Sequence, residues 1–178
     1  MSTPRIVLFG PMGIGKTTAL RSLCGEAAVD CDVPNLDIAS HEKATTTVGA
    51  DFGIVHMEGG EELHVYGAPG QDRFGFMRQW LLSFAVGALV LLDANDPTAL
   101  DQAAQTLAEV QKYAPDAACV VLAARPASSG TLDRFAQQLA ERCGQPVPML
   151  AVDVRERTQM FDALELLAAL LPDEDFAG

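Results

Sequence analysis

The chain has 178 residues, of which 49% are hydrophobic, so it is long enough for one substantial core and too short for two comfortable domains. Its 24 acidic residues outnumber the 12 basic ones, and the net charge of −12 would repel the phosphate backbone of a nucleic acid. Composition therefore predicts a single domain and argues against a nucleic-acid partner.

The cysteines and the apolar segments both favour a cytoplasmic protein. The four cysteines are widely separated and form no C-x-x-C pair, so they predict reduced thiols, with no disulfide framework or zinc site. The longest apolar stretch, residues 85–92, is far shorter than the roughly 20 residues that a membrane helix needs, and no secretory leader precedes the first strand-like segment. We therefore expect a cytoplasmic location and no direct membrane insertion.

Short apolar runs alternate with helical patterns along the chain. The runs predict strands at residues 6–9, 52–57, 63–66, 88–92, 118–124 and 149–152. The helical patterns predict helices at residues 15–24, 74–84, 98–113, 131–143 and 159–171. Alternation of this kind implies right-handed crossovers, so we predict an α/β fold in which about five helices cover both faces of a mostly parallel, six-stranded sheet.

Three segments depart from this alternation. The Gly59-Gly60 pair between the second and third strands favours a tight turn, so we expect one antiparallel hairpin. Residues 25–46 have no clear period and contain Pro34 and Asn35, which predicts a long loop of the kind that is often functional. Residues 172–178 are acidic, and we expect them to form a solvated C-terminal tail.

Residues 10–17 (Gly-Pro-Met-Gly-Ile-Gly-Lys-Thr) match the P-loop pattern G-x-x-x-x-G-K-[ST] and lie between the first strand and the first helix, as that pattern requires. Glycines let backbone N–H groups surround a phosphate, Lys16 reaches the β and γ phosphates, and the Thr17 hydroxyl can bind Mg²⁺. A chance glycine-rich turn would give this pattern in roughly one random chain in two hundred. We therefore predict a nucleotide-phosphate site formed by Gly10, Met12, Gly13, Ile14, Gly15, Lys16, Thr17 and Thr18.

Two further segments resemble the switch segments of Ras-like small GTPases. They are residues 45–53 (Thr-Thr-Thr-Val-Gly-Ala-Asp-Phe-Gly) and residues 66–74 (Tyr-Gly-Ala-Pro-Gly-Gln-Asp-Arg-Phe), called here the first and second switch segments. Their order and spacing fit that family over nearly the whole chain, and they most resemble the bacterial branch of MglA and the conservon-type GTP-binding proteins. The resemblance implies a Ras-like P-loop NTPase fold, with a single G domain over residues 1–171 and the acidic tail after it.

The resemblance also implies roles for individual residues. Thr47 would contact Mg²⁺ and the γ-phosphate only in the triphosphate state, which makes Thr17 and Thr47 the expected metal ligands. Gly70 would present its backbone N–H to the γ-phosphate and Gln71 would orient the attacking water, with Lys16 as the third catalytic residue. Ordinary roles stay open, since Thr47 could be a loop or strand-edge threonine, Gly70 part of a turn after the third strand and Gln71 a solvated side chain.

Arg73 is a further candidate in the second switch segment. A guanidinium beside the γ-phosphate would neutralise charge that develops there, so Arg73 could act as an internal arginine finger. The alternative, which we favour, is an ion pair with Asp72 or another nearby carboxylate.

The metal site departs from the family pattern. The third family motif usually begins with an aspartate that holds Mg²⁺ through water, but Gly67 occupies the matching position and has no ligand to offer. Asp51 and Asp93 are the nearest candidates in the sequence to replace it. For each of them a structural role at the surface is an equal alternative.

The base-reading motif is also replaced. Residues 124–127 (Ala-Arg-Pro-Ala) stand where the family has Asn-Lys-x-Asp, so no carboxylate is left there to accept the guanine N1–H and N2–H groups. Arg125 could stack on the base and Asp153 could approach its edge, and the alternative for both is a surface charge at a strand end. The preference for guanine is implied only by the resemblance.

The resemblance implies a molecular switch that binds GTP or GDP with Mg²⁺. Both switch segments would close over the γ-phosphate and be released by hydrolysis. We expect weak intrinsic GTPase activity that is stimulated by a roadblock-domain regulatory protein, the partner found in the resembled branch. The alternative is a nucleotide-binding scaffold, a pseudo-GTPase with relaxed base specificity and little hydrolysis. A small-molecule kinase or ATPase is disfavoured, because the chain offers no arginine cluster for a second substrate.

Overall fold

The computed structural model describes residues 3–25 and 50–172. The predictions for Thr47, for most of the long loop before the second strand and for tail residues 173–178 therefore lie outside the described residues. Within the described residues, no helix combines the length and the apolar character that crossing a bilayer requires.

Strands and helices alternate along the described chain as the sequence predicts. The strands are β1 (Arg5–Phe9), β2 (Asp51–His56), β3 (Glu62–Gly67), β4 (Gly87–Leu92), β5 (Ala118–Ala123) and β6 (Met149–Ala151). The helices are α1 (Lys16–Cys24), α2 (Gly75–Leu82), α3 (Ala99–Tyr113), α4 (Ser129–Cys143) and α5 (Arg157–Ala169), with a 3-10 turn at Asp72–Phe74 before α2. Each predicted strand and helix is present, and its ends lie close to the predicted ones.

The described strands form one six-stranded sheet in the order β2-β3-β1-β4-β5-β6. β2 and β3 are antiparallel, whereas the other neighbouring pairs are parallel. The turn between β2 and β3 needs its glycines, because Gly59 and Gly60 have φ values of 99° and 87°, which residues with a side chain rarely adopt. The predicted mixed α/β sheet and its hairpin are confirmed.

Both faces of the sheet are covered by helices, which explains why the central strands are continuous apolar runs. On one face, Ile6 and Leu8 of β1 belong to a core shared with α1 and α5. On the other face, Val7 and Phe9 belong to a second core shared with α2, α3 and α4. The sheet is therefore a rigid layer between two cores, and its strand ends are well placed to carry a site.

The strand order creates a crevice at one end of the sheet. β1 lies between β3 and β4, so the chain leaves the carboxyl end of β1 next to the places where it leaves β3 and β4. In open α/β sheets, ligands bind at such a point. The P-loop follows β1 here, and most of the second switch segment follows β3 beside it. The fold thus brings the two predicted site segments together.

Candidate nucleotide-binding site

The P-loop turns sharply before α1. Gly13 and Gly15 have φ values of 80° and 114°, so both lie in the region that favours glycine. Gly15 is the cap residue of α1, and it offers no side chain to the N–H groups of the first helical turn. Those N–H groups and the helix dipole are suited to binding an anion such as a phosphate.

Lys16 folds back over the P-loop. Its Nζ atom donates hydrogen bonds to the carbonyl oxygens of Gly10, at 2.5 Å, and Pro11, at 3.0 Å. Burial lowers the pKa of Lys16 to about 8, and the Asp51 carboxylate opposes that shift. A phosphate bound at the loop would give this partly buried ammonium group a negative partner.

Asp51 of β2 holds the hydroxyl group of Thr17, which lies in α1. Thr17 Oγ1 donates to Asp51 Oδ2 at 2.7 Å, which joins the start of α1 to the start of β2. Asp93, the other carboxylate considered for the metal site, accepts from the backbone N–H and the side-chain amide of Asn95, at 2.9 Å and 3.0 Å. Asp51 therefore faces a predicted metal ligand, whereas Asp93 stabilises its own turn. Thr47, the second predicted metal ligand, lies outside the described residues.

The second switch segment lies directly against the P-loop. A Cβ atom added to Gly70 would lie 2.9 Å from the Gly10 carbonyl oxygen and 3.0 Å from the Met12 backbone nitrogen. The Gln71 side chain donates from Nε2 to Met12 Sδ at 3.2 Å. The structure therefore brings Gly70 and Gln71 next to the loop that carries Lys16, as the predicted catalytic group requires.

Arg78 of α2 braces the second switch segment, and the sequence reasoning missed it. Its Nη1 atom donates to the carbonyl oxygens of Gln71, at 2.9 Å, and Pro69, at 3.5 Å. Its Nε atom donates to Glu109 of α3 at 3.2 Å, and only 13% of the Arg78 side chain is exposed. A single arginine in a helix carries no sequence signal for this role, apart from lying one to two turns after the Pro-Gly-Gln run.

Arg73 stacks on its neighbour in the chain. Its guanidinium carbon lies 4.6 Å from the centre of the Phe74 ring, and the Arg73 residue is exposed. This cation–π contact occupies the Arg73 guanidinium, which is the group that an arginine finger would direct to the γ-phosphate. The structure thus favours a local role for Arg73, through an aromatic ring.

A cavity of about 670 Å³ opens beside the P-loop, next to the ends of β5 and β6. Small-molecule pockets usually have volumes of about 300–1,000 Å³. The cavity lining includes five residues predicted to bind the nucleotide, namely Gly13, Gly15, Thr18, Arg125 and Asp153. Its size and position fit a nucleoside whose phosphates lie at the P-loop.

Arg125 is hydrogen bonded to the P-loop. Its Nη1 atom donates to the Ile14 carbonyl oxygen at 2.8 Å, and Nη2 donates to the Gly13 carbonyl oxygen at 2.9 Å. Asn95 also holds the loop between β5 and α4, which carries Arg125. The Asn95 side-chain amide donates to the Pro126 carbonyl oxygen at 2.9 Å. The guanidinium plane is therefore fixed at the cavity, where its face can stack on a base.

Asp153 brings an ionised carboxylate to the cavity. Arg155 donates to it from Nε, at 2.9 Å, and from Nη2, at 2.8 Å, and these hydrogen bonds lower the pKa of Asp153 to about 2. An ionised carboxylate accepts hydrogen bonds and donates none, which suits the N–H groups of a guanine edge. The Asp153 carboxylate is thus suited to accepting hydrogen bonds from a base. In this structure its oxygens accept hydrogen bonds from Arg155.

The Ras family model matches residues 5–130, which is more than half of the chain. The match runs from the start of β1 into α4 and includes the P-loop and the second switch segment. Arg125 lies within the matched region, and Asp153 lies beyond it.

Three curated relatives share part or most of the chain. An uncharacterised protein of Methanocaldococcus jannaschii is 32% identical over 91 residues, which are 51% of each chain. The Ras-related protein Rab-5B of Plasmodium falciparum is 28% identical over 125 residues, covering 67% of this chain and 54% of its own. The GTP-binding protein YPTM2 of Zea mays is 23% identical over 176 residues, covering 95% and 80%. The chain thus spans about half the length of the first two relatives.

A solved structure confirms the fold. The bacterial selenocysteine-specific elongation factor EF-Sec superposes with a TM-score of 0.69 at 15% sequence identity. The superposition covers 97% of this chain and 30% of the elongation factor. At so low an identity the likeness shows the fold alone, and that fold agrees with the Ras-like P-loop NTPase architecture predicted from the sequence.

Proposed function

The chain belongs to the Ras family of small GTPases, and on this premise we propose that it is a GTP-binding molecular switch that slowly hydrolyses GTP to GDP and phosphate. The observation that carries the proposal is the close contact between Gly70 and the P-loop backbone. A segment held there lies where it can respond to a γ-phosphate, so hydrolysis would release it and change the affinity for a partner.

Each residue at the P-loop has a task in this proposal. Lys16 exchanges its loop carbonyls for the β and γ phosphates, and Gly70 donates its backbone N–H to the γ-phosphate. Gln71 leaves Met12 and orients the attacking water. Thr47 senses the γ-phosphate from the first switch segment.

The oxygen atoms at the P-loop fit Mg²⁺. The cation prefers hard oxygen ligands, and the Thr17 hydroxyl lies beside the Asp51 carboxylate. We propose Thr17 and Thr47 as ligands of Mg²⁺, which when bound would neutralise charge on the phosphates.

Guanine recognition is proposed for the cavity next to β5 and β6. Arg125 stacks on the base with a guanidinium plane that the P-loop carbonyls hold in place. Asp153 accepts hydrogen bonds from the base edge in exchange for those from Arg155. To bind guanine, Asp153 must give up its charged partner Arg155 for the two neutral N–H groups of the base, and this weakens the discrimination between guanine and other bases. We therefore expect a preference for guanine that is less strict than that of an Asn-Lys-x-Asp motif.

We also propose that the chain belongs to the MglA and conservon-type branch and acts in the cytoplasm. This rests on the Pro69-Gly70-Gln71 run and on the loss of the metal-site aspartate at Gly67. The partner in this proposal is a roadblock-domain regulatory protein that stimulates hydrolysis. The β2–β3 hairpin and the switch segments form the docking face.

A second candidate is a scaffold that binds the nucleotide and barely hydrolyses it. Gly67 at the metal site and the loss of the base-reading motif favour this alternative. Both candidates use the same fold and the same phosphate cradle, so nucleotide binding alone does not distinguish them.

Single-turnover hydrolysis of GTP, with and without a roadblock-domain partner, separates the two candidates. We expect the partner to stimulate phosphate release and Gln71→Leu to reduce the stimulated rate by up to about 100-fold, because the attacking water loses its position. Gln79→Leu, on an exposed site in α2, is the matched control and should keep the wild-type rate. Equal rates for the wild type and Gln71→Leu would favour the scaffold.

A further inference from the structure

Asp51 lies across the sheet ladder from Gly67, the position where the family aspartate is missing. The antiparallel register of β2 and β3 pairs the two residues directly. A Cβ atom added to Gly67 would lie 3.3 Å from Asp51 Cβ and 3.6 Å from Asp51 Oδ2. The Asp51 side chain therefore occupies the space that a side chain at residue 67 would enter.

We propose that Asp51 supplies the carboxylate of the Mg²⁺ site, so that this charge comes from β2 and not from residue 67 of β3. The proposal rests on the proposed nucleotide-binding function and concerns the same site. It assigns a metal role to a residue outside the P-loop and outside the usual third motif. It also explains why residue 67 is a glycine, since an aspartate there would face Asp51 with a like charge.

The hydrogen bond between Thr17 and Asp51 leaves both residues able to hold a cation. Thr17 Oγ1 donates its one proton to Asp51 Oδ2 at 2.7 Å. The lone pairs of the hydroxyl then remain for a metal, and an ionised carboxylate has further lone pairs beyond the one that accepts this proton. Asp51 thereby orients Thr17 as well as bringing negative charge to the site.

Charge at the site supports the same role. Asp51 lies close enough to Lys16 to act on its ammonium group electrostatically. A carboxylate in that position would repel the phosphates of a nucleotide when no metal is present, and it would attract a cation that neutralises them. Removal of the Asp51 charge should thus raise the affinity for the nucleotide in the absence of metal. It should also reduce the increase in that affinity that Mg²⁺ produces. A residue that only positioned α1 would change both affinities in the same direction.

Other carboxylates near the P-loop end of the sheet are held by different partners. Asp93 accepts from Asn95, and Asp153 accepts from Arg155. Among the residues described by the structure, Asp51 is thus the carboxylate that contacts Thr17. Asp93, which also lies just after a strand of the central sheet, provides the matched control.

The test measures the affinity of the full chain for a fluorescent GDP in EDTA and at saturating Mg²⁺. Asp51→Asn keeps the shape of the side chain and removes its charge. We expect the GDP affinity of this variant in EDTA to equal or exceed that of the wild type. The increase in GDP affinity that Mg²⁺ produces should fall by about 10- to 100-fold. Electron paramagnetic resonance of Mn²⁺ bound to the GDP complex should show a matching loss of metal affinity. Asp93→Asn should keep the wild-type gain in GDP affinity from Mg²⁺ and the wild-type affinity for Mn²⁺.

A carboxylate exchange between the strands provides the second variant. Asp51→Gly removes the charge from β2, and adding Gly67→Asp returns a carboxylate to the same space from β3. We expect the single variant to lose the Mn²⁺ affinity and the double variant to recover it. Thermal unfolding of each variant shows whether the β2–β3 ladder has kept its stability.

The outcomes separate this inference from the proposed function. An unchanged metal gain in Asp51→Asn would overturn the role of Asp51 while leaving GTP binding intact, and so would a loss in Asp93→Asn alone. The same affinity measurements with fluorescent ADP test whether the chain binds an adenine nucleotide in place of a guanine nucleotide. Binding of ADP but not GDP would end the guanine proposal, and the metal comparison would then be made on the ADP complex.

Discussion

The position of Gly70 shows how much depends on the absence of one side chain. The atoms that an added Cβ would approach at 2.9 Å and 3.0 Å belong to the P-loop main chain, which cannot rotate away as a side chain can. This approach is needed if the Gly70 N–H is to come within hydrogen-bond distance of a phosphate at the loop. The closure that we propose for the second switch segment therefore requires glycine at residue 70.

We predict that Gly70→Ala uncouples the second switch segment from the nucleotide. The segment must move away from the P-loop, so single-turnover GTP hydrolysis should fall by about tenfold or more. Affinity for GDP, which depends on the P-loop itself, should stay near the wild-type value in calorimetry. Gly130→Ala is the control, because a Cβ added there meets no atom within 4 Å. Wild-type hydrolysis by Gly70→Ala would contradict the contact proposed for closure.

Arg125 is expected to stabilise the P-loop before a nucleotide binds. Arg125→Ala removes two hydrogen bonds to P-loop carbonyls, at 2.8 Å and 2.9 Å. We expect the free energy of unfolding of the nucleotide-free chain to fall by about 1–2 kcal/mol, since a charged group donates both bonds. Nucleotide affinity should fall as well, because the loop is less well ordered before it binds. Urea unfolding and calorimetry measure the two effects.

Arg134→Ala is the control for that experiment. Arg134 is exposed on α4, so its loss should change the free energy of unfolding by less than about 0.5 kcal/mol. If Arg125→Ala behaves like this control, the bonds from Arg125 do not order the P-loop.

Site residues differ in how far the sequence can predict them. Lys16 and Thr17 follow from the motif alone, because their neighbours in the chain fix their positions at the start of a helix. Asp51 is one of two carboxylates that the sequence offers for the metal site. The structure favours it through its hydrogen bond to Thr17 and through the register between β2 and β3, which the residue pattern does not contain. The bracing role of Arg78 depends on how α2 packs against α3, so no local pattern could reveal it.

Arg78 connects α2, α3 and the second switch segment. Arg78→Ala removes the bonds to two carbonyl oxygens and to Glu109 at a site where only 13% of the side chain is exposed. We expect a loss of about 1.5–3 kcal/mol in the free energy of unfolding. Hydrolysis should also slow, because Gln71 is less well positioned, while GDP affinity is retained.

An exposed ion pair between helices serves as the comparison. Arg142→Ala removes a contact of 2.6 Å between α4 and Asp101 of α3, where the two side chains are 50% and 74% exposed. Pairs of this kind contribute about 0–1 kcal/mol. Equal losses of stability from the two variants would show that the bonds of Arg78 contribute no more than an exposed ion pair and do not brace the second switch segment.

The elements themselves were well predicted from the sequence, and the reason is physical. Both faces of the sheet are buried, so strands such as β4 are continuous apolar runs that stand out from the amphipathic helices. Boundaries were less certain where a side chain sets them. α4 begins at Ser129, before the predicted residue 131, because Ser128 Oγ accepts a hydrogen bond from the Thr131 N–H at 3.1 Å.

The net charge of −12 has a consequence for the whole molecule. Self-repulsion destabilises a compact state, and raising the salt from about 0.01 M to about 0.1 M shortens the Debye length from about 30 Å to about 10 Å. We therefore predict that the urea midpoint of the nucleotide-free chain rises over this range of NaCl. A fall would mean that attractive pairs such as Arg78–Glu109 outweigh the repulsion.

We propose that this P-loop holds a guanine nucleotide and that the chain responds to its γ-phosphate. Calorimetric titration of the nucleotide-free protein with GTP and with ATP, at saturating Mg²⁺, tests that claim most directly. We predict one site per chain with higher affinity for GTP, even though the Asn-Lys-x-Asp motif is absent and Arg125 and Asp153 are the base readers that we propose. Equal or tighter binding of ATP would contradict the account, since the Ras-like switch would then lack its nucleotide.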